Sequence, residues 1–167
     1  MVMVPEIVLP PEYRRTASGG ELYSEIEIRS SPGRIWEILT DFSRYPEWNP
    51  FIHSIRGDLV FGGHITAELR PPGSAGMTIR PVLIRVDPAR ELRWKGHLFV
   101  RGLFDGEHIF EIRPRDDRTT LVIQRELFTG ILLPLLEGML RGGTARGFAL
   151  MNTALKDRAE NPGPKGQ

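Results

Sequence analysis

"DFSRYPEWNP" (residues 41–50) places three aromatic rings, Phe42, Tyr45 and Trp48, three residues apart and adds Pro46 and Pro50. Neither a helix interior nor a central strand tolerates that pattern, because proline lacks a backbone donor and clashes with the preceding turn. So much ring surface in an irregular segment has to be covered by elements elsewhere in the chain. What flanks the segment therefore decides the fold.

Upstream, "ELYSEIEIRS" (21–30) alternates Leu22, Ser24, Ile26 and Ile28 against Glu21, Tyr23, Glu25, Glu27 and Arg29, the period of a strand. "SSPGRIWEILTDF" (30–42) then predicts a short helix. Ser31 can cap it, Pro32 suits its first position, and Ile35, Leu39 and Phe42 share one face. Downstream come further candidate strands: "FIHSIRGD" (51–58), "HITAELR" (64–70), "MTIRPVLIRVD" (77–87), "ELRWKGH" (91–97), "GEHIFEIR" (106–113) and "TTLVIQRELF" (119–128). Their links, "LVFGG", "PPGSAG", "PAR" and "PRDDR", are short and turn-rich, which favours antiparallel neighbours. Pro81 inside the third of these runs implies a bulge or an edge position.

From Thr129, a candidate cap, to about Glu160 the sequence reads as one long helix, with Lys156 and Arg158 near its C-terminal dipole. Leu132, Leu136, Met139, Gly143, Gly147, Leu150 and Ala154 form one apolar stripe; Leu140, Phe148, Met151 and Leu155 form a second row beside it. A stripe that wide needs a broad surface, and the sheet is the only candidate. The expected class is α+β.

The totals exclude several functions. The 167 residues are 40% apolar and 26% charged with a net charge of +1, enough for one domain with a single core and no basic excess for nucleic acid. Cysteine is absent, which removes disulfides, thiolate metal sites and a cysteine nucleophile, and fits a reducing cytoplasm. No apolar run approaches the roughly 20 residues that span a bilayer. "MVMVPEIVLPPEY" has no basic n-region and reads as an N-terminal arm over residues 1–19; "NPGPKGQ" (161–167) reads as a disordered tail. His53, His64, His97 and His108 lack metal-ligand spacing, "GGTARG" (142–147) is no phosphate loop, and no G-x-S-x-G elbow occurs. No metal and no cofactor is expected.

Three segments carry a resemblance to a known family: the W-x-x-L-T-D-x-x-x-Y-P-E-W-N-P stretch from Trp36, "LFDGEHIFEI" (103–112) and "QRELFTG" (124–130). With the element order, they make residues 20–160 resemble the START/polyketide-cyclase-like (SRPBCC) superfamily. The resemblance implies a helix-grip fold: a curved antiparallel sheet of about seven strands around a long C-terminal helix, with two short helices after the first strand. It implies an apolar cavity between sheet and helix. Its members bind lipids, sterols, polyketides and other hydrophobic molecules, and some are cyclases or dehydratases. In such a fold the short helices close one end of the gap. Phe42, Tyr45 and Trp48 would plug it, either as core alone or with Trp48 or Phe51 touching a ligand.

The expected cavity wall comprises Trp48, Phe51, Trp94, His108, Phe110, Gln124, Glu126 and Phe128, with Met139, Gly143 and Gly147 facing it from the helix. His108 and Glu126 are the candidate acid–base pair. In "GEHIFEIR", His108, Phe110 and Ile112 share the face opposite Glu107, Glu111 and Arg113. A three-residue link (116–118) sets Glu126 opposite His108, whereas a two-residue link sets Arg125 there, because a one-residue slip inverts the faces. The family resemblance favours Glu126 and Phe128 inward. Such a pair can serve general acid–base chemistry or simply satisfy itself. "GHLFVRGLFDG" (96–106) is too apolar for an idle loop. Leu98, Phe99, Val100, Leu103 and Phe104 are expected at the cavity entrance as a lid, with completion of the core or docking as the alternatives.

The partner expected is therefore a small hydrophobic molecule, with no nucleic acid and no stable membrane insertion, bound by a monomer or homodimer. An enzyme of cyclase/dehydratase type is the alternative, and a membrane- or partner-docking module a weaker one.

Overall fold

The computed structural model describes residues 8–163; the rest of the expected arm and tail, residues 1–7 and 164–167, lies outside the described residues. Six antiparallel strands form the main sheet in the order β1-β2-β9-β8-β7-β6. They are β1 (Val8–Thr16), β2 (Gly19–Ile28), β6 (Val82–Asp87), β7 (Glu91–Leu98), β8 (Phe104–Pro114) and β9 (Thr120–Thr129). A second sheet holds β3 (Ile52–Gly57), β4 (Ile65–Leu69) and β5 (Met77–Ile79). The fold is α+β, as expected, with two departures in the strands.

Both departures involve proline. Pro81 divides the run at 77–87 into β5 and β6, which belong to different sheets. Without an N–H it cannot continue a ladder, although its carbonyl still accepts from Ile65 N at 3.0 Å. The segment Val8–Thr16, read as part of an arm, is edge strand β1, and its pairing with β2 slips between Leu9 and Glu12, at Pro10 and Pro11. Tyr13 on β1 is buried, and its hydroxyl donates to Glu137 at 3.1 Å.

Helix α1 (Pro32–Thr40) is capped by Ser31, whose Oγ accepts from Arg34 N. A 3-10 turn (Phe42–Arg44) and the short α2 (Tyr45–Trp48) follow it. Tyr45 is fully buried and donates to Leu39 O at 2.8 Å; its ring meets Phe42 edge-on at 5.9 Å and Trp48 at 5.2 Å. The rings of "DFSRYPEWNP" thus pack mainly on one another and into the core. Asn49 then turns the chain, its Oδ1 accepting from Phe51 N and Ile52 N.

The C-terminal helix comprises α3 (Leu133–Met139), a π-helical turn (Leu140–Thr144) and α4 (Ala145–Glu160). Thr129 is not its cap. It ends β9, Gly130 turns the chain at φ 126°, and the helix starts at Leu133 without a side-chain cap. The buried face is the second of the two predicted rows: Leu140, Phe148, Met151 and Leu155 are in the core. Of the first stripe Gly147 is buried, Leu150 is exposed, and Leu132, Leu136, Met139, Gly143 and Ala154 are half-buried.

Candidate functional site

The register of the last two strands sets the site. His108 pairs with Glu126, Phe110 with Gln124 and Ile112 with Val122, the pairing expected of the three-residue link. Trp94 on β7 pairs with His108 in turn. These positions line the concave face of the main sheet, toward the C-terminal helix.

A slot opens between the ends of β7, β8 and β9, the small sheet and the helix. Trp94, Leu98, Phe104, Glu126 and Phe128 form its sheet wall. Phe51 and Met139 line it too, together with residues not anticipated: Leu69, Met77 and Ile79 of the small sheet, and Leu140 and Thr144 of the π-turn. The alternation in "HITAELR" and "MTI" marks apolar faces, but nothing in the sequence separates a second sheet from the first. The slot's cavity volume is only about 60 Å³, although about 600 Å³ of atom-free space lies in it when counted to its open mouth. Pockets for small ligands commonly measure about 300–1,000 Å³. The slot is narrower than the cavity expected.

The reason lies deeper in. Phe148 packs against Phe51 with ring centroids 5.7 Å apart and against His108 at 5.1 Å. A Cβ on Gly147 would sit 2.3 Å from the Phe51 ring, so that glycine makes room for a protein side chain and not for a ligand. Gly143 faces the 71–76 loop, where a Cβ would stand 3.0 Å from Pro72 O. His108, Phe110 and Gln124 are buried behind the slot, not on its surface. Trp48 borders a separate polar groove with Arg34, Arg44 and Arg158, away from the slot. Of the expected entrance residues, Leu98 and Phe104 line the slot, while Phe99 and Val100 project into solvent and Leu103 is half-buried.

Among the described residues Glu126 is the one carboxylate on the slot's surface. Its Oε2 stands 3.5 Å from His108 Nδ1, and a Cβ at Gly106 would meet its Oε1 at 2.6 Å. The absent side chain at Gly106 is what lets the carboxylate lie across β8. His108 is held among rings, stacked on Trp94 at 5.0 Å and tilted against Phe110 at 4.7 Å. Its Nε2 is 3.2 Å from Gln124 Nε2, which also donates to Met151 Sδ. With the amide assigned as donor, the imidazole proton sits on Nδ1, toward Glu126. Gln124 Oε1 is buried without a partner, so turning the amide over would move that proton to Nε2. Behind them Ser24 Oγ donates to Gln124 O, and Asn152 Nδ2 donates to Ser24 Oγ, which ties β2, β9 and α4 together. Among the described residues no group of three metal-ligating side chains is placed to hold an ion, and no helix is long and apolar enough to cross a membrane.

This arrangement can shelter an apolar body and offer it one carboxylate steadied by an imidazole. A family model described as "Polyketide cyclase / dehydrase and lipid transport" matches residues 20–160. No curated protein matches the sequence. Among solved structures, the di-domain ARO/CYC StfQ from the steffimycin biosynthetic pathway is similar with a TM-score of 0.69 at 15% identity, over 84% of this chain and 51% of that one. The chain thus spans about half the length of that di-domain protein. Protein Ms6760 from Mycobacterium smegmatis gives 0.69 at 17% identity over 90% and 95% of the two chains. Truncated norcoclaurine synthase from Thalictrum flavum gives 0.64 at 13% identity over 89% and 94%. At these identities the likeness is one of fold.

Proposed function

Because this chain belongs to the polyketide cyclase/dehydrase and lipid transport family, we propose that its slot binds a small, mostly apolar molecule and meets one polar group of it with Glu126. The observation that carries this reading is a lone carboxylate on an otherwise largely apolar surface. A carboxylate there costs desolvation unless something compensates, and His108 with the ligand's own donor would do so. Thr144, also on the slot, adds a hydroxyl for a second contact. The narrowness of the slot implies that the ligand widens it. Met139 and Leu98, flexible and only partly buried, are the side chains that would move.

A second reading is favoured by the pairing of carboxylate and imidazole. Here the ligand is a polyketide-like carbonyl compound and the reaction is a cyclisation or dehydration without a cofactor. Glu126 would take a proton from the carbon beside the carbonyl. In a cyclisation that carbon bonds to a second carbonyl carbon, whose oxygen receives the proton. In a dehydration a C=C bond forms as the β-hydroxyl receives it and leaves as water. His108, behind the slot, would act through Glu126 as a positioning residue and not touch substrate.

The test is native mass spectrometry of protein purified from its own source, joined to titration with a neutral apolar fluorescent dye. A co-purified molecule released on denaturation, and displaced by the dye, is the expected outcome. Failure of any apolar probe to bind would end the proposal. Glu126→Gln then separates the readings. A binder should lose about tenfold or more in affinity for ligands with a hydrogen-bond donor, whereas an enzyme should keep affinity and lose turnover by about 10²–10⁴-fold.

A further inference from the structure

One end of the molecule carries large apolar side chains that the core does not use. The β7–β8 loop presents Phe99 and Val100, exposed by 76% and 61%. The β9–α3 connection presents Ile131, and the first turn of α3 presents Leu135, exposed by 75% and 81%. Two backbone hydrogen bonds clamp the loops side by side, Ile131 N to Gly102 O at 3.1 Å and Leu132 N to Leu103 O at 2.9 Å. Asp105 completes the clamp by accepting from Gly102 N at 2.9 Å. Phe99 has φ 67°, a conformation bulky residues rarely adopt, so its ring is held outward at a cost. Phe104, at the end of the loop, joins the core, but Phe99 and Val100 do not fold back into it.

We propose that this end docks on an anionic lipid surface, and that the docking places the mouth of the slot against the membrane. Three features favour that occupant. The four side chains project singly from two narrow loops and offer on the order of 500 Å², below the ~800 Å² per partner of a stable protein interface. Separate protruding side chains suit insertion into a deformable interface better than contact with a rigid flat one. Among the described residues, basic side chains without an ion pair accompany them: Arg101 is exposed in the loop itself, and Arg141 lies over the Tyr13 ring. Of the acids, Glu137 is neutralised by Arg15, Asp105 accepts from Gly102 N, and Glu126 lies on the slot against His108.

The third feature is continuity with the slot. Leu98 and Phe104, at the two ends of the exposed loop, line it, and Phe104 stacks on Phe128 at 5.6 Å. An apolar molecule dissolved in the bilayer would therefore enter without crossing water. That part rests on the ligand-binding reading above, while the docking itself does not.

The experiment is flotation of the full chain with vesicles of phosphatidylcholine alone, or with about one-third phosphatidylglycerol. Binding to the anionic vesicles, weakened by salt, is expected. Phe99→Ser with Leu135→Ser should lower it by at least about tenfold, and Arg101→Glu by about fivefold or more. The double variant should keep its melting temperature and its uptake of apolar dye in the absence of vesicles, since neither residue lines the slot. Equal flotation of wild type and double variant, or none by wild type, overturns the proposal. So does a dimer in sedimentation velocity that the double variant abolishes without vesicle binding; that result gives the surface to a second copy. Dye uptake that fails while flotation succeeds sinks the ligand reading and leaves the docking surface standing.

Discussion

Gly106 and Gly147 each hold a space that another side chain occupies, and the two spaces differ in what fills them. At Gly147 the neighbour is the Phe51 ring, pinned by Phe148 and by the Asn49 turn. Gly147→Ala should therefore overpack the core and cost about 1–3 kcal/mol, read as a lower urea midpoint. An unchanged midpoint would mean that the ring swings aside freely. At Gly106 the neighbour is the carboxylate end of Glu126, which can rotate away. Gly106→Ala should leave stability within about 1 kcal/mol and yet weaken binding of donor-bearing ligands. If binding is unaltered, the position of the Glu126 carboxylate is irrelevant to recognition.

At the level of elements, the C-terminal helix is tied to the sheet by carboxylates at both ends. Near its start Glu137 binds Arg15 and Tyr13 of β1. At its end Glu160 Oε1 accepts from Arg29 N at 2.8 Å and from Lys156 Nζ at 2.9 Å. The Arg15 hydrogen bond holds the Glu137 carboxyl below the usual carboxylate range. For Glu160 burial pushes upward, but the hydrogen bonds from Arg29 and Lys156 outweigh it and the net shift is downward. A carboxyl whose folded pKa lies below its unfolded value stabilises the fold above the unfolded pKa, and that contribution vanishes as pH falls through the folded value. Stability should therefore decline as the pH drops below about 4, and Glu160→Gln should flatten the decline while lowering stability at neutral pH. A Glu160→Gln protein with an unchanged pH–stability curve would show that this latch does not matter.

Taken whole, the molecule is asymmetric about its main sheet. The convex face buries Ile109, Leu121 and Ile123 under charged side chains, among them Arg125 bridging Glu21 at 3.2 Å and Glu111 at 3.0 Å. Such stems cover apolar surface while their heads stay wet. The concave face is packed by the helix at its far end and left open at the slot. Because the slot is open space, Met139→Trp should fill it, abolishing dye uptake with a melting temperature within a few degrees of the wild type. Retained uptake would place the binding site somewhere else. A ligand that fits should, in the native protein, raise the melting temperature with the logarithm of its concentration over its Kd once that ratio is well above one.

The sequence by itself determined the α+β class, most strands and the helix cap at Ser31, and it narrowed the partner of His108 to Glu126 or Arg125. These follow from local period, turn length and backbone chemistry, which neighbouring residues set among themselves. Pro81 was legible as an interruption, but which sheet each half joins depends on partners far along the chain. The tertiary structure alone decided the depth of the cavity. A glycine such as Gly147 reads as empty space in one dimension, and only the arrival of Phe51 from nearly a hundred residues upstream fills it. The helix face was decided in the same way. The sequence offered two adjacent apolar rows, and packing buried the second, Leu140, Phe148, Met151 and Leu155, while it left Leu150 of the first exposed. Periodicity carries local geometry faithfully, but it does not say which of two neighbouring rows the sheet will cover.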